Sequence, residues 1–431
     1  MINAHPLPDM PCPIGALSQY TAQRVRTAGW IHAVRRLGGV TFVILRDGHH
    51  MVQVVIKSHP GALRPETVVY VEADVVDEPR APGGIELHRP TFDVVSEPAN
   101  PLPLDLSGPR VEAGLPTRLD WAPLALRHPG SREWLRVTAR LVQEFRQALS
   151  QEDFVEIHTP KLLATATEGG ANVFTVDYFG RPAYLAQSPQ FYKQMMVGVL
   201  GRVFEVGPVF RAEPHDTARH LSQYTSLDVE LGFIRDHHTV MDVLARTLRA
   251  MLIGARVEAP ELDSWPEVPT SIPVIHFSEA LEMLSLALGQ DLCQEPDLAP
   301  AHEAWLGEWA QATHGSDFLF VEGYPMAKRP FYTYPDPKRP EFTLSFDLLF
   351  RGQELVTGGQ RLHLYQDYVA ALASRGLEPE SYEGYLMAFK YGMPPHGGFA
   401  IGLERLVARL MGFTNIREAT LLPRDVKRLV P

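Results

Sequence analysis

The sequence predicts an α+β protein in which a five-stranded OB-type β-barrel precedes a larger domain with a mostly antiparallel sheet flanked by helices. Three observations support this class. Five short β-rich runs lie between residues 24 and 95, a proline-rich stretch follows, and strand and helix patterns then alternate irregularly to residue 431. We expect a barrel domain in residues 1–100, a hinge or linker in 101–130 and the larger domain in 131–431.

Amino-acid composition, cysteine count and net charge limit the kinds of protein that this sequence can encode. The 431 residues are 45% hydrophobic and 21% charged, which is usual for a soluble globular protein. Cys12 and Cys293 are the only two cysteines, so a disulfide framework is excluded and a reducing cytoplasm is expected. We expect no signal peptide and no membrane span. The net charge of −11 argues against a general nucleic-acid binder, but a specific one remains open because residues 1–100 are nearly neutral.

The barrel is predicted from five runs: Arg24–Arg36, Thr41–Arg46, Met51–Ile56, Val68–Val76 and Ile85–Val95. A small helical interruption is expected near Pro60–Leu63. Phe42 has four arginines nearby in the sequence, Arg24, Arg26, Arg35 and Arg36. An aromatic ring within positive charge is how OB folds commonly hold unpaired bases. The pattern alone favours the other interpretation, that Phe42 belongs to the barrel core.

The larger domain begins with a predicted amphipathic helix at about Ser131–Gln151, whose apolar face carries Trp134, Leu135, Val137, Leu141, Val142, Phe145 and Leu149. A strand that ends near Pro160 follows, since proline has no N–H to donate to a sheet. Near the carboxyl terminus, the stretch Gly398–Met411 predicts a glycine-rich strand that runs directly into a helix. Arg405 would lie in the first turn of that helix, where an anion is favoured. An ordinary amphipathic helix with a solvated arginine is equally consistent.

Two further segments carry candidate chemistry. In residues 209–230, two strand-like runs flank a polar loop rich in Arg, Glu and His, which would suit a nucleotide. In residues 347–361, alternation along two strands can bring Asp347 and Glu354 together, and paired carboxylates suit Mg²⁺. Arg361 follows an expected Gly358-Gly359 turn and would be free to reach a carboxylate. Solvent-exposed charged hairpins are the alternative for both segments.

The order of these segments resembles the three motifs of the class II aminoacyl-tRNA synthetases: Pro160 after a helix and strand, Phe210-Arg211-x-Glu213 opening a hairpin, and Gly402-Leu-Glu-Arg405 opening the last helix. Further stretches resemble the archaeal-type aspartyl-tRNA synthetases: Gln187-Ser188-Pro189-Gln190-Phe-Tyr-Lys193, Tyr391-Gly-Met-Pro-Pro-His396, Asn415-Ile-Arg417-Glu, residues 423–431 and Gly29-Trp30-Ile-His32. The resemblance covers nearly the whole chain. Between Asp228 and Asp347 there is room only for a modest helical elaboration.

The resemblance implies an aspartate–tRNA ligase that uses ATP and Mg²⁺. The implied ATP-binding residues are Arg211, Glu213, Arg219, His220, Leu221, Tyr224, Glu354, Gly402, Leu403, Glu404 and Arg405, with Arg211 and Arg405 catalytic. The implied metal ligands are Asp347 and Glu354. The implied L-aspartate-binding residues are Glu168, Ser188, Gln190, Lys193, Arg211, Asp228, Thr357 and Arg361. Two cations, Lys193 and Arg361, would face the substrate side chain and favour a carboxylate over an amide.

The resemblance also implies tRNA contacts on the barrel, at His32, Arg35, Phe42, Gln53, Pro82 and Glu86. His32 and Pro82 match enzymes of this type that charge both tRNA(Asp) and tRNA(Asn), so we expect a non-discriminating enzyme. A homodimer is implied, and an amidotransferase is a possible partner. Strict specificity for tRNA(Asp) is the main alternative. Asparaginyl-tRNA synthesis, a tRNA-independent ligase that makes asparagine and a single-strand-binding module without ligase activity are weaker alternatives.

Overall fold

The computed structural model describes residues 10–57, 63–164, 172–262 and 265–431. The chain divides into two compact units, Met1–Arg132 and Glu133–Pro431. Each unit has its own buried apolar clusters. No helix in the described ranges has both the length and the apolar character needed to cross a bilayer.

The first unit contains the predicted barrel. Its strands are β1 (Arg24–Leu37), β2 (Val40–Arg46), β3 (Met51–Ile56), β4 (Val68–Asp77) and β5 (Ile85–Ser96), closed in the order β1-β2-β3-β5-β4. Alternate residues of β2 and β3, including Val43, Leu45, Val52 and Val54, fill the interior. The five predicted runs are confirmed to within one residue at each end. Most of the interruption expected at Pro60–Leu63 lies outside the described residues.

Residues 101–130 contain more structure than the proline-rich composition indicates. Two short helices, α1 (Leu115–Asp120) and α2 (Ala122–Ala125), occur there. Leu104, Leu106 and Val111 pack with Ala125 in a small apolar cluster. Both helices have proline in their first turn, where a missing N–H breaks no helical hydrogen bond. Proline content therefore does not distinguish this folded segment from a linker.

The described residues of the second unit contain eight α-helices, five before the hairpin formed by residues 345–360 and three after it. In chain order the helices are α3 (Glu133–Gln151), α4 (Gln190–Leu200), α5 (His237–Ala255), α6 (Phe277–Leu288), α7 (Pro300–His314), α8 (Tyr365–Ser374), α9 (Glu383–Lys390) and α10 (Leu403–Leu410). Of the predicted face of α3, Trp134, Val137, Leu141, Phe145 and Leu149 are buried. The helix begins two residues after Ser131, because residues 129–131 form a separate 3₁₀ turn.

The strands of the second unit are β6 (Val155–Glu156), β7 (Leu162–Leu163), β8 (Thr175–Tyr178), β9 (Arg181–Leu185), β10 (Arg202–Phe210), β11 (Gln223–Gly232), β12 (Val274–His276), β13 (Phe318–Glu322), β14 (Ser345–Phe350), β15 (Glu354–Gln360) and β16 (His396–Gly402). Eight of them form one sheet in the order β12-β13-β14-β15-β16-β11-β10-β6. Only its outermost pairs, β12–β13 and β10–β6, are parallel. The predicted mostly antiparallel sheet is thus confirmed.

Glycines at the centre of this sheet allow atoms of adjacent strands to lie where a Cβ would otherwise be. Gly358 and Gly359 lie within β15, so the turn predicted before Arg361 is wrong. A Cβ on Gly358 would overlap the ring of Phe346 on the adjacent strand. On β16, a Cβ on Gly398 would overlap the Val229 carbonyl and the Glu230 carboxylate. These glycines make room for atoms of neighbouring strands. A Gly-Gly pair in a sequence is equally consistent with a turn, so the sequence alone did not show that Gly358 and Gly359 lie within a strand.

We expect Gly398→Ala to lower the free energy of unfolding by roughly 1–3 kcal/mol, because the methyl group has no space beside Glu230. Urea unfolding followed by circular dichroism would measure the change. Gly384→Ala is the matched control: Gly384 lies in α9 with no atom within 4 Å of an added Cβ. Its replacement should leave stability unchanged or raise it slightly. Equal stability of Gly398→Ala and wild type would contradict the packing argument.

Candidate active site

A cavity of about 330 Å³ opens where the loop between β10 and β11 meets β15, the end of β16 and the start of α10. Its walls include ten residues expected to bind ATP: Arg211, Glu213, Arg219, His220, Leu221, Tyr224, Glu354, Gly402, Glu404 and Arg405. Thr357, Ser226 and Ala400 also line it. Leu403, the remaining residue of that set, is instead buried in the apolar core.

Three arginines give the cavity a positive wall. Arg405, in the first turn of α10, donates to the Glu354 carbonyl oxygen at 2.8 Å and lies 3.7 Å from its carboxylate. The Arg211 guanidinium stands over the Tyr224 ring, 5.7 Å from its centroid, and 3.8 Å from Glu213. Arg219 completes the wall. Permanently charged groups around an aromatic face suit a nucleoside phosphate.

His220 contributes a different kind of group to the same wall. Its Nδ1 lies 2.6 Å from Thr217 Oγ1, and its Nε2 lies 3.8 Å from Glu213. Burial lowers the pKa of His220, and the nearby Arg405 and Arg211 add to that effect against the opposing charge of Glu213. Near neutral pH the imidazole is therefore a hydrogen-bonding group, while the arginines provide the lasting positive charge.

Of the two expected metal ligands, Glu354 lines the cavity, whereas Asp347 lies behind the wall, in register with the lining residue Thr357. Asp347 is buried on β14, and its Oδ2 is 2.9 Å from Arg329, a partner that the sequence did not reveal. Its Oδ1 is buried without a hydrogen-bond partner among the described residues. Thr357 donates to Glu354 Oε1 at 3.0 Å. Burial, opposed by Arg329 and reinforced by the charge of Glu354, raises the pKa of Asp347 to about 6. Two carboxylates with an unused oxygen are a donor set that fits Mg²⁺.

Glu303, on α7, is a site residue that sequence reasoning missed. Its carboxylate accepts from the Glu354 backbone N–H at 3.2 Å and lies 3.7 Å from Arg219. Burial and the neighbouring Glu354 charge raise the pKa of Glu303 to about 7. The helical elaboration between residues 236 and 320 therefore supplies a carboxyl group that contacts two lining residues, Arg219 and Glu354, from behind the cavity wall. Its position in an otherwise ordinary amphipathic helix gave no sequence signal.

Behind the cavity wall lies a buried cluster of four charges. Lys193 Nζ, on α4, is 2.9 Å from Asp228 and 3.4 Å from Glu230, both on β11. Arg361 Nε donates to the other oxygen of Glu230 at 3.0 Å. Ser226, on the cavity wall, donates to Asp228 at 2.5 Å and so joins the cluster to the cavity. Lys193 is only 1% exposed and Arg361 only 6%.

The cations of this cluster retain hydrogen-bonding capacity. Besides Asp228, Lys193 Nζ reaches the backbone carbonyls of Val229 and Phe399, at longer distances of 3.4 and 3.3 Å. The hydrogen bonds that Arg361 makes to described residues use Nε and Nη2, and the second of these goes to the Gly398 carbonyl at 3.0 Å. Nη1 takes part in neither bond. A carboxylate ligand could therefore bind both cations by replacing only weak contacts.

A network of uncharged hydrogen-bonding side chains lies next to the four-charge cluster. Gln194 donates to His396 Nε2 and to the Tyr368 hydroxyl, both at 3.0 Å, and accepts from Tyr385 at 2.9 Å. His396 Nδ1 lies 2.9 Å from the Pro394 carbonyl. Burial lowers the pKa of His396 to about 4, despite the nearby charge of Glu230. The imidazole is thus neutral, and neither its role nor that of Gln194 was predicted.

Three other residues were expected to bind aspartate, and the two that the structure describes do not line the cavity. Gln190 is buried and donates to Gln194 Oε1 at 3.0 Å. The Ser188 hydroxyl accepts from the Gln190 backbone N–H at 3.3 Å. Both therefore lie beside the neutral network at the start of α4. Glu168 lies outside the described residues.

On the barrel, one outer face gathers most of the expected tRNA contacts. Phe42 is half-buried, is absent from the interior cluster and pairs with Arg35 across β1 and β2. The core interpretation of Phe42 is therefore wrong. Gln53 donates to Glu86 at 2.7 Å across the parallel β3–β5 pair. Glu86 also lies 2.7 Å from His88, a neighbour that sequence reasoning missed.

His32 differs from these surface positions. It is 7% exposed, and its ring lies 5.9 Å from that of His128. Burial and the adjacent Arg46 lower the pKa of His32. Direct contact between His32 and a base, as expected from the sequence, is inconsistent with this burial. Pro82 lies in the short 3₁₀ turn Pro82–Gly84, immediately before β5.

Comparison with known families and proteins agrees with this geometry. Residues 115–426 match the family described as tRNA synthetases class II (D, K and N), and residues 25–95 match the OB-fold nucleic acid binding domain. An aspartate–tRNA(Asp/Asn) ligase of Thermus thermophilus is 45% identical, with 96% of this chain and 98% of that protein covered. An aspartate–tRNA(Asp) ligase of Pyrococcus abyssi is 41% identical, with 96% and 97% covered.

Among solved structures, an asparaginyl-tRNA synthetase of Pyrococcus horikoshii complexed with asparaginyl-adenylate superposes with a TM-score of 0.89 at 30% identity. The match covers 98% of this chain and 100% of that one. Relatives named for three different specificities are thus similar to this chain over nearly its whole length.

The buried His396 predicts a pH-dependent stability. Its folded-state pKa of about 4 is below the ordinary 6.5, so its contribution is present above pH 6.5 and is lost as the pH falls towards 4. Between pH 7 and pH 5 we expect a loss of about 2 kcal/mol from this group. His396→Gln should reduce the difference in unfolding free energy between these two pH values, measured in urea. His314→Gln, at an exposed position of α7, should keep the wild-type difference. An unchanged difference in His396→Gln would contradict the assignment.

Proposed function

Because the chain belongs to the class II tRNA synthetases of the D, K and N group, we propose that it is an aspartate–tRNA ligase that charges tRNA(Asp) and also tRNA(Asn). It would activate L-aspartate with ATP and transfer the aspartyl group to the 3′ end of tRNA. The observation that carries this proposal is the pair of buried cations, Lys193 and Arg361, directly behind a cavity suited to a nucleotide.

The first step would be in-line attack of the aspartate α-carboxylate on the α-phosphorus of ATP, which expels pyrophosphate. Arg211 would hold the α-phosphate and the substrate carboxylate, and Arg405 with Arg219 or His220 would hold the β- and γ-phosphates. Glu213 would accept from the adenine amine and Tyr224 would face the adenine ring. These groups act by positioning and by stabilising charge, since the reaction needs no covalent nucleophile.

Mg²⁺ would be held by Asp347 and Glu354, and when bound it would neutralise phosphate charge. In the second step, a terminal ribose hydroxyl of tRNA would attack the aspartyl-adenylate and release AMP. Glu303 would hold Arg219 at the cavity wall through the ion pair already described. We propose the same cavity for both steps, because the adenylate is both product and substrate there.

Selection of aspartate over asparagine would come from the buried cluster. A substrate carboxylate can accept hydrogen bonds from both Lys193 and Arg361 and attracts them by its negative charge. The neutral amide of asparagine lacks that charge and would bind the two cations more weakly. Asp228 and Glu230 would hold the cations in place rather than contact the substrate side chain. The likeness to an asparaginyl enzyme shows that the scaffold alone does not choose the amino acid.

The barrel would bind the anticodon on the face that carries Phe42, Arg35, Gln53 and Glu86, with Phe42 stacking on a base. His32 would act indirectly, by fixing the strand and the buried Arg46 beneath that face. We further propose a cytoplasmic homodimer. An enzyme that charges tRNA(Asn) with aspartate would need an amidotransferase as a functional partner.

The catalytic proposal predicts aspartate-dependent exchange of pyrophosphate into ATP, with Mg²⁺ required and asparagine inactive. Lys193→Met should lower kcat/KM for aspartate about a hundredfold or more, equivalent to roughly 3 kcal/mol, because it removes one buried cation. Lys328→Met, at an exposed position, is the matched control and should retain full activity. Circular dichroism would verify folding. Exchange with asparagine but not aspartate would favour the asparaginyl alternative, and no exchange would favour the single-strand-binding one.

The tRNA proposal predicts comparable charging of tRNA(Asp) and tRNA(Asn) transcripts when they are assayed side by side. A preference for tRNA(Asp) beyond about a hundredfold would contradict it and favour the strictly specific enzyme. Phe42→Ala should raise KM for both tRNAs, since stacking on an aromatic side chain contributes roughly 1–3 kcal/mol per base. Pyrophosphate exchange without tRNA should be unaffected in that variant. Unchanged charging would exclude Phe42 from the interface.

A further inference from the structure

A group of metal-ligating side chains lies outside the cavity, where α5 begins and β13 ends. His237 and His238 are the first two residues of α5, and Asp236 caps the helix by accepting from the His238 backbone N–H at 3.0 Å. Glu322 is the last residue of β13. None of these residues lines the active-site cavity, and the proposed catalytic roles use none of them.

The three side chains converge on a single point. Nε2 of His237 lies 2.8 Å from Glu322 Oε2, and Nε2 of His238 lies 3.0 Å from the same oxygen. The three potential ligand atoms lie within 4.8 Å of one another. Successive helical residues normally point about 100° apart, yet the two imidazole rings lie together with centroids 4.1 Å apart. This is the only group of its kind found among the described residues.

Burial and nearby groups favour a bound cation. The His237 side chain is 7% exposed, Glu322 22% and His238 47%, so the group is closed on one side and reachable from solvent on the other. Asp236 lies 3.6 Å from His238 Nδ1, where its negative charge adds to the attraction for a cation.

We propose that His237, His238 and Glu322 bind one Zn²⁺ ion that fastens the start of α5 to the end of β13. Two imidazole nitrogens and one carboxylate oxygen are a common ligand set for zinc, and water would complete a tetrahedron. The ion stabilises the fold and takes no part in catalysis. Hydrogen bonds alone could use the same three atoms, and metal binding distinguishes the two arrangements.

Zinc titration of the untagged full chain tests the proposal. After removal of metals with EDTA and dialysis into Mg²⁺ buffer, we expect saturable binding of one Zn²⁺ per chain in this group, measured calorimetrically and by elemental analysis. His238→Ala and Glu322→Gln should each weaken that binding at least tenfold. The matched control is the double variant His49→Ala/His50→Ala, which removes another adjacent histidine pair that lacks a converging glutamate. It should bind zinc as the wild type does.

Two further measurements make the result decisive. Co²⁺ in place of Zn²⁺ should give the visible absorption of a four-coordinate ion in wild type but not in His238→Ala. Zn²⁺ should raise the Tm of wild type and not that of His238→Ala, whose pyrophosphate exchange in Mg²⁺ buffer shows that it is folded. Absence of saturable binding in wild type, or binding unchanged in both variants, would overturn the site. Binding without a rise in Tm would overturn its stabilising role.

Discussion

The second unit depends on the burial of four charges, Lys193, Arg361, Asp228 and Glu230, in the middle of its central sheet. Removing such groups from water is unfavourable, and an uncompensated buried charge is strongly destabilising. Here two cations and two anions compensate one another at distances of 2.9 to 3.4 Å. Loss of any one would leave the others unbalanced, so the cluster constrains both stability and the ligand that can bind beside it.

Several features of the sheet follow from this constraint. Glu230 occupies the space beside Gly398 that a larger residue would fill, and Gly398 also supplies a carbonyl to Arg361. The neutral His396 and the Gln194 amide surround the cluster with hydrogen-bonding groups without adding net charge. A substrate carboxylate would bind both cations at the edge of the cluster by replacing the longer contacts of Lys193 with backbone carbonyls. The proposed selection of aspartate therefore uses groups that the fold also requires.

The sequence predicted local structure well where the pattern was regular. The five barrel strands follow from β-rich runs separated by turn residues. The direct passage from β16 into α10 follows from its glycine-rich strand and the helical spacing of the apolar residues after it. The residues that line the cavity came mainly from resemblance to a family, since each segment alone also allowed a solvated hairpin. Partners from distant segments were not predictable: Arg329 beside Asp347 and Glu303 beside Arg219 become neighbours only in the folded sheet. Phe42 lies outside the interior cluster, as the resemblance implied and against the core position that the pattern favoured. His32 is buried, although the resemblance implied a tRNA contact there.

The most direct test of the account is a crystal structure of the chain with a non-hydrolysable analogue of aspartyl-adenylate. The aspartyl side-chain carboxylate should lie within hydrogen-bonding distance of both Lys193 Nζ and the Arg361 guanidinium. The adenosine should occupy the cavity between Tyr224 and Arg405. A ligand bound with its side-chain carboxylate away from both cations would contradict the central claim.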